Sequence, residues 1–191
     1  ENDIEMLSAV ADQAAVSISK AQLWEMAVKD SLTGLHVRRY FMARLQDEIH
    51  RTERYKKSLS VVMADLDHFK SVNDRFGHAC GDEVLREIAH RVEAQVRASD
   101  VSARYGGEEF VAVLTNSDCE ASHDIAERIL HTVREIEMQT AAQTLGVTVS
   151  IGLACRDAQD DRHSLFDRAD KAMYAAKHAG RDQIQVFTRP S

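Results

Sequence analysis

The run Leu59-Ser60-Val61-Val62-Met63-Ala64 is almost continuously apolar and stops on Asp65-Leu66-Asp67. It reads as a central strand buried on both faces, because a half-buried strand would alternate apolar and polar residues instead. A strand with no solvent face needs strands beside it and helices over it, so a layered fold is required. With 191 residues and 44% hydrophobic composition, the chain can build one such core plus an appendage, but not two complete domains.

The appendage comes first. Ile4, Leu7, Ala11, Ala14, Ile18, Ala21 and Val28 follow the alternating three and four spacing of a heptad seam, interrupted by Glu25. A parallel coiled coil is the simplest partner for this helix, though the stripe also suits a helix packed on its own domain. Glu1-Asn2-Asp3-Ile4-Glu5 reads as a helix already in progress, as expected of a piece of a longer protein. Asp30-Ser31-Leu32-Thr33-Gly34 breaks the helix, and Phe41, Leu45 and Ile49 mark a second one.

After the central strand, Val84, Leu85, Ile88, Ala89, Val92 and Val96 recur at helical spacing, followed by a short strand ending at Tyr105. Gly106-Gly107 turns into a strand from Phe110 to Leu114, then Ile125, Ile129, Leu130, Val133 and Ile136 mark another helix. A strand over 147–154, a helix over 164–178 and a strand over 183–187 complete the chain. The expected fold class is α+β: a ferredoxin-like βαββαβ sandwich with a central antiparallel sheet and extensions.

A formal charge of −7 argues against nucleic acid or an anionic membrane as the main partner. No apolar run approaches the roughly 20 residues of a membrane helix, and no signal-peptide pattern is present. Cys80, Cys119 and Cys155 are scattered and odd in number, so neither a disulfide framework nor a zinc site is expected, only small buried hydrophobes in a reducing cytoplasm.

In the expected topology the third strand lies antiparallel between the first and second, which brings Asp65 beside Glu108. With Asp67 and Glu109 these would cluster four carboxylates, which repel unless a cation joins them. Hard oxygen ligands suit Mg2+ and, through it, nucleotide phosphates. The alternative is that the two Asp merely end a strand and the two Glu face solvent; an Asp at the inner end of an apolar strand is costly without a partner. His68-Phe69-Lys70 directly after the strand can offer backbone N–H groups and a charge to a phosphate. Lys177 and Arg181 lie a turn apart near the end of the last helix, where they equally suit the helix dipole. Asn73 and Asp82 flank Phe76-Gly77-His78, and Asp82 by itself also suits a helix cap.

Gly106-Gly107-Glu108-Glu109-Phe110 resembles the signature of the GGDEF family of diguanylate cyclases. Asp30-Ser31-Leu32-Thr33-Gly34-Leu35, Asp65-Leu66-Asp67-His68-Phe69-Lys70, Asn73-Asp74, Phe76-Gly77-His78, Gly81-Asp82 and Ala176-Lys177-His178-Ala179-Gly180-Arg181 resemble further family motifs in the family's order. The resemblance runs from about Asp30 to Phe187. It implies a helix over 1–29 for signalling and dimerisation, a cyclase domain of the nucleotide cyclase or palm type over 30–188, and a tail over 189–191.

The resemblance further implies a Mg2+ site, open to Mn2+, formed by Asp65, the Leu66 carbonyl and Glu108, with Glu109 as another ligand or as the base for a 3′-hydroxyl. Glu108, Glu109 and Lys70 would be catalytic. Asn73 and Asp82 would bind the guanine edge, Asp at 82 favouring guanine, while His68, Phe69, Lys70 and His78 line the substrate and Lys177 and Arg181 take the terminal phosphates. Two GTP would condense to cyclic di-GMP between two copies of the chain, in the cytoplasm, under an upstream sensory domain. Arg97 and Asp100 match the family's product-inhibition motif, with Arg128, and more weakly Arg51, as an added arginine for bound cyclic di-GMP. Two departures stand out: Val37 replaces the family's usual Asn, and the signature has Glu108 where Asp also occurs. The rival expectations are a non-catalytic receptor for GTP or cyclic di-GMP, and a purely structural dimerisation unit.

Overall fold

The computed structural model describes residues 2–139 and 144–188. The expected tail over 189–191 lies outside the described residues. In chain order the elements are α1 (Asn2–Val28), β1 (His36–Val37), α2 (Arg38–Tyr55), β2 (Leu59–Leu66), α3 (Phe69–Gln95), β3 (Val101–Gly106) and β4 (Glu109–Thr115). There follow α4 (Cys119–Arg134), β5 (Glu137–Gln139), β6 (Thr144–Gly146), β7 (Val149–Cys155), α5 (Arg162–His178) and β8 (Ile184–Val186).

The mixed α/β fold is centred on one sheet in the order β1-β3-β4-β2-β7-β8. Strand β4 lies between β2 and β3 and is antiparallel to both, β7 is antiparallel to β2, and the outer β1 and β8 run parallel to their neighbours. Every residue of β2 is buried, as expected of a strand without a solvent face. Side chains alternate across a strand, so Val61 and Met63 enter one core with Phe41, Leu45 and Ile49 of α2 and Leu165, Ala169 and Met173 of α5. Val62, Ala64 and Leu66 enter the other, with Val84, Leu85 and Ile88 of α3 and Ile125 and Ile129 of α4. Asp65 shares the parity of Val61 and Met63 and emerges on the α2 and α5 face, at the strand's end.

Helix α3 bends at Gly77 (φ 83°, ψ 161°), where the sequence places a turn. Two features were not anticipated: the short β1 and the separate β5–β6 hairpin. On α1, Ala14 and Ile18 of the seam are exposed and Val28 is buried; the side chains of Ile4, Leu7, Ala11 and Ala21 lie outside the described residues. Trp24 rests edge-on against Tyr40 of α2, centroids 6.0 Å apart. The helix therefore touches its own domain at its C-terminal end.

The expectation of three reduced cysteines is overturned. Cys119 and Cys155 form a disulfide with Cα atoms 5.5 Å apart, and Cys80 is free and half-buried. The fold lays the start of α4 against the end of β7, joining residues 36 apart in sequence, a pairing that no short cysteine spacing announces.

Candidate active site

Asp65, Glu109 and Ser150 lie side by side across β2, β4 and β7, because Asp65 is the register partner of both others. Glu108 sits in the preceding turn and its carbonyl accepts from the Leu66 N–H (3.3 Å). The sheet thus gathers Asp65, Leu66, Glu108 and Glu109 at one end. Lys177, on the last turn of α5, reaches them: its Nζ lies 2.8 Å from Asp65 Oδ1.

Burial raises the Asp65 pKa, Lys177 opposes the rise, and the charges of Asp67 and Asp170 add to it. Burial and the Asp65 charge raise Glu108, with Lys177 opposing. Burial, Asp65 and Asp170 raise Glu109, again against Lys177. Three crowded carboxylates resist ionisation and one ammonium only partly offsets their charge. A hard, oxygen-only donor set that disfavours its own negative charge fits a Mg2+ ion.

Asp67 acts on this cluster through its charge. Its carboxylate is held by three donors, accepting from Ser150 Oγ (2.7 Å), Thr148 Oγ1 (2.8 Å) and the Asp182 N–H (3.0 Å). Asp65, Glu108 and Glu109 therefore converge, with the charges of Asp67 and of Asp170 of α5 both felt at Asp65. Asp170 lies two helical turns before Lys177, a spacing that puts both on one face and that a helical reading could have used.

The α3 entrance is as expected in outline. His68 caps it in the left-handed region (φ 58°), with the Ser71 N–H on its carbonyl (2.8 Å). Phe69 is buried, whereas His68, Lys70 and His78 are exposed. Asn73 lies against Gly81, where an added Cβ would stand 2.0 Å from Asn73 Oδ1 and would displace that amide. Asp82, next along, is half-buried. Arg181 is exposed in a turn after α5.

Arg97 and Asp100 are joined within one turn after α3. Arg128 bonds Gln95 at the end of α3 (Nε to Oε1, 3.3 Å), near Arg97 in the chain. Asp100 is committed locally: it accepts from the Arg97 N–H (2.9 Å), the Thr115 N–H (2.9 Å) and Thr115 Oγ1 (3.0 Å). Arg51 instead pairs with buried Glu48 (3.1 Å) and lines a cavity with Thr52, Tyr55 and Thr115.

Sequence reasoning missed Arg104. Its guanidinium holds the Gly107 carbonyl through two nitrogens (2.9 and 2.7 Å) and reaches Asp30 Oδ1 (3.3 Å), bracing the signature turn against the segment after α1. Strand β3 reads as an ordinary edge of the core, so nothing in its local pattern singles the residue out.

Comparison with known proteins places this site in a family. The family profile described as "Diguanylate cyclase, GGDEF domain" matches residues 27–183. The chain belongs to the GGDEF diguanylate cyclase family. This GGDEF domain is 38% identical over 181 residues to Diguanylate cyclase A of Treponema denticola, covering 93% of this chain and 49% of that protein. It is 42% identical over 163 residues to Response regulator PleD of Caulobacter vibrioides, covering 84% of this chain and 36% of that one. The GGDEF domain thus spans about half or less of these curated relatives. Among solved structures, the coiled coil and GGDEF domain of DgcB from Caulobacter crescentus in complex with c-di-GMP superimposes with a TM-score of 0.90. That pair is 27% identical, and the match covers 96% of this chain and 98% of that one. Diguanylate cyclase SiaD from Pseudomonas aeruginosa, solved with its activator SiaC, gives a TM-score of 0.83 at 34% identity, covering 97% and 72%.

Proposed function

We propose that this GGDEF domain condenses two GTP molecules into cyclic di-GMP and two pyrophosphates, each of two facing copies holding one GTP. The observation that carries the reading is the convergence of Asp65, Glu108 and Glu109 with Lys177 at one end of the sheet. The strand order β3-β4-β2-β7 supports the ferredoxin-like arrangement that creates this convergence.

A Mg2+ ion held by Asp65, the Leu66 carbonyl and Glu108 would supply Lewis-acid stabilisation of phosphoryl oxygens, and Mn2+ has compatible ligand preferences. Asn73 and Asp82 take the guanine edge, supported by their placement around Gly81. The N–H groups at His68 and Phe69, the Lys70 ammonium and the nearby His78 take phosphate. Lys177, whose ammonium lies 2.8 Å from Asp65 Oδ1, takes the terminal phosphates together with Arg181. Glu109, its proton affinity raised by burial and by Asp65, accepts the proton of the 3′-hydroxyl as its oxygen attacks the α-phosphate of the facing GTP. Pyrophosphate leaves, and a second such step closes the ring. Facing geometry requires a homodimer, for which the exposed seam residues Ala14 and Ile18 of α1 offer a coiled-coil surface. Regulation belongs to an upstream sensory domain and to cyclic di-GMP bound by Arg97, Asp100 and Arg128, with catalysis on the cytoplasmic side.

Incubation with GTP and Mg2+ followed by chromatography tests the reading. Cyclic di-GMP is expected, with formation rising faster than linearly with protein concentration and lost in Glu109→Gln. GTP binding without product at any concentration would instead establish a receptor.

A further inference from the structure

Gly180 (φ 117°), Arg181 (φ 65°) and Asp182 (φ 47°) are three consecutive residues in the left-handed region. Glycine adopts it freely, but Arg and Asp do so only where their surroundings over-determine the backbone. Here three contacts impose it. The Arg181 N–H donates to the Ala176 carbonyl (3.0 Å), closing the end of α5. The Asp182 N–H donates to Asp67 Oδ2 (3.0 Å). Arg134, on the last turn of α4, forks onto Asp182, with Nε on the carboxylate (2.8 Å) and Nη2 on the carbonyl (2.7 Å).

Asp67 is a rigid anchor for this turn. It is 7% exposed, its own N–H donates to the Thr148 carbonyl (2.9 Å), and the hydroxyls of Thr148 and Ser150 fix both carboxylate oxygens. All its side-chain partners are donors, which suits a carboxylate acting as acceptor alone. The residue stands one position from the metal-bearing strand yet is spent on a turn far along the chain.

We propose that Asp67 and Arg134 are positioning residues for phosphate recognition: they lock the turn over 180–182 so that Arg181 is presented to the terminal phosphates, while neither touches nucleotide. The inference rests on the assignment of Arg181 to those phosphates made above. An arginine side chain has several rotatable bonds, and fixing the backbone that carries it lowers the entropy lost when the guanidinium grips its ligand. Freed from both anchors, the turn relaxes out of the left-handed region and the guanidinium loses its direction. Asn73 and Asp82 are carried by α3 and are unaffected. The loss should therefore fall on the terminal phosphates and spare guanine.

The test is titration calorimetry of GTP and GMP with the full chain, using Ca2+ in place of Mg2+ to suppress turnover. In Arg134→Ala and in Asp67→Asn, GTP affinity is expected to fall on the order of tenfold, about 1.4 kcal/mol, with GMP affinity unchanged. Arg181→Ala should do the same, and combining it with Arg134→Ala should add little, because both act through one group. The Arg134 side chain is 46% exposed and its removal leaves the core intact, so this variant decides the matter if Asp67→Asn folds poorly. Unchanged nucleotide affinities, or a parallel loss of GTP and GMP, would overturn the proposal. Failure of the underlying phosphate assignment looks different: wild type and Arg181→Ala would then share one GTP-to-GMP ratio, and the proposal would fall with it.

Discussion

Asp30 closes the turn after α1 by accepting from the Thr33 N–H (2.9 Å), Thr33 Oγ1 (2.7 Å) and Arg104. Burial works to raise its pKa, but the Thr33 bonds and the Arg104 charge outweigh it, so the value lies below the usual 3.8. A depressed carboxylate stabilises the fold above its unfolded pKa, and that contribution is lost as pH falls through the lower folded value. Asp30→Asn is therefore expected to lower Tm at neutral pH, and the deficit should shrink only below about pH 4. Thermal melts of both proteins across pH 2.5 to 8 check this; a deficit that widened toward acid would contradict the sign. Val37 shows the opposite economy. It occupies the N-cap of α2 in an extended conformation (φ −83°, ψ 157°) without a side-chain cap, so the helix begins with an N–H that the Asn usual in the family could satisfy.

At the scale of elements, the Cys119–Cys155 bond joins the first residue of α4 to the last of β7. Closing a loop with 36 residues of separation restricts the unfolded chain by up to about 4 kcal/mol, so reductant should lower Tm by roughly 10 °C. Cys119→Ser should melt at the lower temperature with or without reductant. Identical melts of wild type under both conditions would mean that the bond does not form in solution. This pairing also marks what local pattern can convey. Leu59 to Ala64 announced β2, the Phe41, Leu45 and Ile49 stripe announced α2, and the strand order followed from how such elements pack. The two-residue β1 and the β5–β6 hairpin are too short to carry a periodicity. Asp65, Glu108 and Glu109 were legible because a single topological rule joins them. Asp67, Arg104 and Arg134 were not, because their roles depend on partners brought close only by the finished fold, such as Asp182 against Asp67.

For the whole molecule, the proposed reaction would make the domain one half-site, and α1 carries the seam residue Ile18 at 59% exposure. A helix with such a surface gains stability chiefly by pairing. Removing residues 1–29 is expected to leave the domain folded but to depress cyclic di-GMP formation at low protein concentration, with recovery as concentration rises and encounters replace the tether. Product formation by both proteins over a hundredfold concentration range checks this; superimposable curves would remove α1 from the mechanism. Within one half-site, dimensions are set differently. Gly152 of β7 lies so near α5 that a Cβ there would stand 2.1 Å from the Ala169 carbonyl oxygen and 2.2 Å from the Met173 nitrogen. Main chain rests on main chain, one turn before Lys177 and two residues along the strand from the register partner of Asp65. The spacing of α5 from the sheet is therefore calibrated by a peptide-on-peptide gauge rather than by interlocking side chains, and substitutions elsewhere in the core can change how tightly the domain holds together without resetting the span between ammonium and carboxylate.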